Sequence, residues 1–376
     1  MSETVPTRVS IAMTTYNGAT YLQEQLDSLA GQNLRPAELV IGDDGSTDGT
    51  LEILERFARH APFPVRIHRN PERLGYRVNF LNVARRCTSQ LISFCDQDDV
   101  WSPENLSRVV PCFADSDVLL TFHNSRIVDA QRRPISPFYV EPIPRISPRL
   151  TMSPWMYSYG FTQTFRADLL PAADLWGPME DHLHPGEAMA HDLFFFLLAS
   201  GLGSICYLDD ELTEYRLHAG NTFGSGKRTM PSFLDRWRYR LEDRSNTYRH
   251  LAHVAPIDAQ LFARLSTLET LSPHLRRRSA EAANAWSKLG PLYADRARLC
   301  SAGLPDRVAA FMRLYRRGAY DESGFWTFGA KAMTKDLVLG LLLAPVIGRF
   351  GRPSSGSDRA CRRGRTYSRT VRTGQA

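Results

Sequence analysis

The chain is 376 residues long, with 43% hydrophobic and 23% charged residues and a formal net charge of +6. That composition supplies a sizeable core in one large or two smaller domains and excludes a disordered or fibrous chain. The positive excess sits in one place: Arg349 to Arg372 hold eight arginines against the single acid Asp358, so the body is close to neutral and an RNA-binding body is disfavoured.

Met1 to Val9 has no apolar core of signal-peptide length, and a cytoplasmic protein is expected. The six cysteines (Cys87, Cys95, Cys112, Cys206, Cys300, Cys361) are scattered without zinc-site spacing, which fits reduced structural thiols.

Taken in order, Val9 to Met13 reads as a strand, followed by the small polar run Thr14 to Gly18. A helix is expected from about Ala19 to Leu29, with Tyr21, Leu22, Leu26 and Leu29 on one face. Glu38 to Ile41 is a second strand, ending in the Gly, Asp and Ser-rich run Gly42 to Gly49, and a helix starts near Thr50. Val65 to His68, a helical piece over Asn79 to Ala84, and the strand Leu91 to Cys95 follow. Strands alternating with helices predict a parallel or mostly parallel α/β sheet with helices on both faces.

In such sheets ligands lie across the carboxyl ends of the strands, which would bring Thr14 to Gly18, Asp43 to Gly49 and Asp96 to Asp99 together. All three loops are polar and suit a nucleotide, while the glycine fingerprint of dinucleotide folds and the phosphate-binding lysine loop are missing. Asp96 to Trp101 (DQDDVW) places three carboxylates where a buried strand stops. Two readings are open: a site for a hard divalent ion that keeps positions for phosphate, or a solvated turn before a helix with Ser102 as N-cap and Pro103 at its first position.

The segments SIAMTTYNG (Ser10 to Gly18), LVIGDDGSTDGT (Leu39 to Thr50) and ISFCDQDDVW (Ile92 to Trp101) resemble the N-terminal half of glycosyltransferase family 2, which has the GT-A fold. The resemblance implies that Asp43 contacts the nucleotide base and that Thr15, Tyr16 and Asn17 help hold base and ribose. It also implies that Asp96 and Asp98 are the outer carboxylates of a motif for Mg2+ or Mn2+, with Asp98 the direct ligand and Asp96 also on the nucleotide side.

Val118 to Val128 reads as a strand crossing near the pocket, and Arg132 to Arg149 as a surface loop. The aromatic run Trp155 to Phe165, which includes Thr162, suits either an acceptor-sugar site or a core strand. Leu193 to Leu198 reads as a buried helix that holds His191 and Asp192 at its N-terminal end, where a cap is the ordinary role. Rhamnosyltransferase-like members of the family carry a similar His-Asp pair followed by a YRxHxxN segment, here Tyr215, Arg216, His218 and Asn221. The resemblance makes Asp192 the catalytic base of an inverting transfer. By their own chemistry Arg216 or His218 is expected to contact the diphosphate, and Thr162, in the aromatic run, the acceptor.

The expected organisation is a catalytic domain over residues 1–225, a helical extension over 226–335, a short apolar segment over 336–348 and an arginine-rich tail over 349–376. The apolar segment is too short to span a bilayer, which leaves a buried terminal helix or contact with the inner face of the cell membrane. The function expected is transfer of a sugar, rhamnose among the candidates, from a nucleotide-diphosphate donor to a cell-surface polysaccharide or lipid-linked glycan. The alternative is a non-catalytic nucleotide-sugar-binding protein of the same fold.

Overall fold

The computed structural model describes residues 7–140, 142–218, 233–321, 325 and 327–343; over 233–243, at 339 and over 342–343 only the backbone is described. In chain order the elements are β1 (Val9–Thr15), α1 (Leu22–Ala30), β2 (Glu38–Asp43), α2 (Thr50–His60), β3 (Val65–Arg69), α3 (Tyr76–Arg86), β4 (Leu91–Cys95), β5 (Val100–Trp101), α4 (Asn105–Val109) and β6 (Val118–Val128). The short strands β7 (Pro134–Pro137) and β8 (Ile146–Ser147) lead to β9 (Gln163–Arg166), α5 (His191–Leu202) and β10 (Ser204–Arg216). The C-terminal helices are α6 (Phe233–Leu265), α7 (Pro273–Ser287), α8 (Leu289–Ser301), α9 (Leu304–Arg316) and α10 (Gly329–Lys335), followed by a π-helical stretch, Asp336–Leu343.

The sheet runs β3-β2-β1-β4-β9-β6-β10-β5. β1 pairs in parallel with β2 and β4, and β6 pairs in parallel with β10, while β9 lies antiparallel between β4 and β6. This is the mostly parallel sheet expected. Because the pleat alternates, each central strand feeds both faces. Ile11, Met13, Leu39 and Ile41 pack under α1 and α2. Ala12, Val40, Ile92 and Phe94 pack under α3 and α5.

Helix α5 lies inside the molecule, and every one of its residues except Asp192 is buried. Burying each of Phe194, Phe195 and Phe196 is worth about 2–3 kcal/mol, and Gly201 lets the ring of Phe262 from α6 approach where a side chain would collide. The sheet core is therefore continuous with the helical extension, through Phe262 and the fully buried Trp286.

Two local expectations change. The helix after Ser102 begins only at Asn105, because Val100 and Trp101 form β5 against β10, and the Ser102 N–H goes to the Leu212 carbonyl at 3.0 Å. Within Trp155 to Phe165, a strand forms only from Gln163, and Gly160–Thr162 is a 3-10 turn. Of the terminal apolar segment, Gly340 rests on Leu299 and its carbonyl accepts from Arg307 Nη1 at 3.1 Å. Asn221 and residues 344–376 lie outside the described residues.

Candidate active site

β1, β2, β4, β6 and β10 all end at one edge of the sheet, and β9, running the other way, starts there. The loops at that edge are sewn together by their own polar groups. Asp43, fully buried, accepts from Thr15 Oγ1 at 3.0 Å, Ser46 Oγ at 2.5 Å and the Ser46 N–H at 3.0 Å. Asn17 sits at φ 48°, a left-handed conformation that asparagine tolerates, and its Oδ1 accepts the Thr47 N–H at 2.8 Å. Gln97 then ties the 96–99 loop to the first loop: its Oε1 accepts the Tyr16 N–H at 2.9 Å and its Nε2 donates to the Tyr16 carbonyl at 3.2 Å. The Arg73 guanidinium covers the half-exposed Tyr16 ring at 3.9 Å.

The anionic loop differentiates its three carboxylates. Asp99 is buried and Oδ1 accepts the Arg216 N–H at 3.0 Å, so it anchors the end of β10. Burial, then Asp98 and Asp96, push it well above the usual carboxylate range, with Arg216 opposing. Asp96 is pushed up to about 8 by loss of water, then by the charges of Asp98 and Asp192. Asp98 Oδ2 meets His218 Nε2 at 2.9 Å. These are the oxygen and nitrogen donors a divalent ion takes, with its other positions left to water and phosphate. Among the described residues, no group of three or more histidine, cysteine or acidic side chains is placed to hold a metal ion.

Arg216 is 1% exposed. Its guanidinium donates to the carbonyls of Asp98 at 2.9 Å and Ala130 at 3.1 Å and to Glu24 at 3.0 Å, and it lies 4.6 Å over the Tyr21 ring. These contacts brace the backbone that carries Asp98. His218 stays at the open edge, 4.8 Å from the Tyr21 ring.

Asp192 opens α5, facing the same edge. Its Oδ2 accepts the Gly160 N–H at 2.9 Å and its Oδ1 the Leu193 N–H at 2.8 Å. Burial raises it to about 6 in spite of these two donors. That value leaves the carboxylate ionised near neutrality but basic enough to take a proton from a hydroxyl. The neighbouring His191 is buried flat on Phe80 at 4.0 Å and edge-on to Phe94 at 4.7 Å, and burial pulls it down to about 3. It is a neutral wedge. A Cβ on Gly160 would stand 2.8 Å from its Nε2, so glycine is what lets the 160 backbone reach Asp192. Thr162 is buried, with Oγ1 donating to the Tyr159 carbonyl at 2.8 Å.

Sequence reasoning brought Asp43, Asp96, Asp98, Asp192 and His218 to one edge, and the structure gathers them there. It missed Asp44, Gln97 and Gly160. Asp44 accepts the N–H groups of Leu74 at 2.7 Å and Gly75 at 2.8 Å and the Asn70 amide at 3.0 Å, folding the 70–75 loop against the site. The doubled aspartate was visible in the chain, but its partners were not.

The sequence profile described as "Glycosyl transferase family 2" matches residues 10–178. An uncharacterized glycosyltransferase of Nostoc sp. is 27% identical over 221 residues, 57% of this chain, and the match spans 66% of that protein's length. A dTDP-rhamnosyl transferase of Shigella flexneri is 33% identical over 104 residues, 27% of this chain and 36% of that protein. Among solved structures, a fragment of S. aureus TarS in complex with UDP-GlcNAc is 19% identical, covering 84% of this chain and 93% of that one with a TM-score of 0.45.

Proposed function

We propose, from the match of residues 10–178 to the glycosyltransferase family 2 profile, that the protein moves a sugar from a nucleoside-diphosphate donor to a glycan hydroxyl, with inversion at the anomeric carbon. The observation that carries this reading is Asp192, held at a helix start by two backbone donors and close enough to Asp96 to raise it. A sugar hydroxyl keeps its proton at neutral pH, so attack needs a placed base that accepts the proton as the bond forms. Asp192 is that base in the proposed reaction. With the diphosphate leaving on the opposite face, one displacement suffices and no carboxylate nucleophile is invoked.

The donor's base and ribose are assigned to the pocket of Thr15, Tyr16 and Asn17 shaped by Asp43, with Asp96 on the nucleotide side. Asp98, with Asp96, is assigned to a Mg2+ or Mn2+ ion, which when bound would neutralise charge gathering on the departing diphosphate. Arg216 keeps the Asp98 backbone in place, and Thr162 fixes the turn beside Gly160 on the acceptor side. A dTDP-rhamnose donor is supported by the His191-Asp192 and Tyr215-Arg216-x-His218 segments and by the partial likeness to the Shigella rhamnosyl transferase. The acceptor class proposed is a cell-surface polysaccharide or its lipid-linked precursor, met at the inner face of the membrane. The domain bounds at 225, 335 and 348 are part of the same proposal.

A thermal-shift screen of UDP, dTDP and GDP sugars with and without manganese tests the reading. A nucleotide-specific, metal-dependent rise in Tm is expected, followed by nucleoside diphosphate release that Asp192→Asn abolishes. Full turnover by the folded Asp192→Asn protein would remove Asp192 from the reaction.

A further inference from the structure

Of thirteen large apolar side chains exposed among the described residues, six lie together at the C-terminal end of the fold. Leu304 (52% exposed), Val308 (45%), Met312 (40%) and Tyr315 (61%) follow one another along α9 at the four-, four- and three-residue spacing of a single helix stripe. Leu337 and Val338 stand exposed on the helical stretch that Arg307 ties to α9. The opposite side of α9 is already used, since Arg307, Ala310 and Leu314 are buried. The stripe is therefore a second apolar face, beyond what the fold needs.

Cations flank it. Exposed Arg316 follows Met312 by one helical turn, and exposed Lys331 and Lys335 precede Val338 by seven and three residues along one face of the continuous helical stretch, while Asp306 and Asp321 are exposed acids of the same region. The guanidiniums of Arg298, Arg313 and Arg317 gather instead on the buried Asp295 of α8, on the side of α9 away from the stripe. We infer that α9 docks on the surface of an anionic lipid bilayer, with its stripe among the upper acyl chains and its cationic rim on lipid phosphates. A second copy of this chain would bring two cationic rims face to face. The chain's own residues 344–376, with eight arginines and one acid, repel the same rim.

This names the surface for the membrane contact in the proposed function, but binding requires no donor or acceptor. The full chain is co-sedimented with phosphatidylcholine vesicles with and without phosphatidylglycerol. The expected result is binding that needs the anionic lipid, weakens with salt, and falls about tenfold or more in Val308→Ser/Met312→Ser, with Tm and the donor-induced Tm shift unchanged. Tyr315→Ser, at the most exposed position of the stripe, should weaken it in the same direction, and Arg316→Glu should reduce binding to anionic vesicles. Equal binding to pure phosphatidylcholine, undiminished binding by both stripe variants, or a wild-type dimer that Val308→Ser/Met312→Ser dissociates would each overturn the assignment. So would deletion of 349–376 abolishing binding while the stripe variants bind fully, since the tail would then be the contact. A lost donor shift with intact vesicle binding would instead count against the proposed transfer alone.

Discussion

Replacing Asp192 by Asn separates its chemical role from its structural one. Both carboxylate oxygens accept a backbone N–H, from Gly160 at 2.9 Å and Leu193 at 2.8 Å. An amide satisfies one of these and turns its NH2 toward the other donor. The structural cost is one unmet buried N–H, about 1–3 kcal/mol, read as a fall of a few degrees in Tm. The chemical cost expected from the proposed reaction is loss of the base, about a hundred- to ten-thousandfold in kcat, with donor affinity nearly unchanged because that reaction puts Asp192 on the acceptor side. The pH profile provides an independent check. Burial holds the Asp192 proton up to about pH 6. The active, ionised fraction is therefore full above about pH 7 and falls tenfold per unit as pH drops below 6. In an assay of nucleoside diphosphate release, kcat should show that acid limb in wild type and lose it in Asp192→Asn. An Asp192→Asn enzyme within tenfold of wild type, or a wild-type kcat flat down to pH 4.5, would refute the reasoning.

Three further outcomes follow from contacts elsewhere in the site. Asp98→Ala removes the carboxylate facing His218, and manganese should then no longer raise donor affinity in a titration that wild type passes. Arg216→Met keeps the bulk but leaves the carbonyls of Asp98 and Ala130 without their donor; the expected destabilisation is about 2–4 kcal/mol in urea unfolding, with most of it from the buried carbonyls and little from the half-exposed Glu24. Gly160→Ala sets a methyl 2.8 Å from His191 Nε2. His191 is wedged between Phe80 and Phe94, so the 160 backbone must retreat, and kcat should fall at least tenfold with KM for the donor unchanged.

How much of this was legible depends on how local each signal is. β1, β2 and β4 announce themselves because a parallel strand covered on both faces is largely apolar, and the turns after them must be polar. β3, at the sheet edge, carries Val65 and Ile67 in alternation with polar residues, and the strand at 118–128 was legible from its partial alternation. Three features escaped. Val100 and Trp101 form a strand only because β10 lies beside them, and nothing within two residues encodes partners 112 and 114 positions away. β9 is antiparallel in an otherwise parallel centre, so the site-facing residue, Gly160, lies in the turn just before it begins, whereas the parallel rule looks only at strand ends. Arg216 showed its charge in the sequence, but its acceptors at Glu24, Asp98 and Ala130 are ones that no spacing reveals.

The same distinction explains why the residues proposed for chemistry were the easier ones to find. Asp96, Asp98 and Asp99 crowd three carboxylates into four positions, and the repulsion is visible in the bare sequence. The compensation is not visible. It comes from one return of the chain: β10 brings the Arg216 N–H to Asp99, the Arg216 guanidinium to the Asp98 carbonyl and His218 to the Asp98 carboxylate. A single strand end thus offsets part of the charge that a metal would otherwise have to neutralise alone. The pocket can therefore keep its shape before any cation or donor arrives, and a donor diphosphate meets loops already set to receive it.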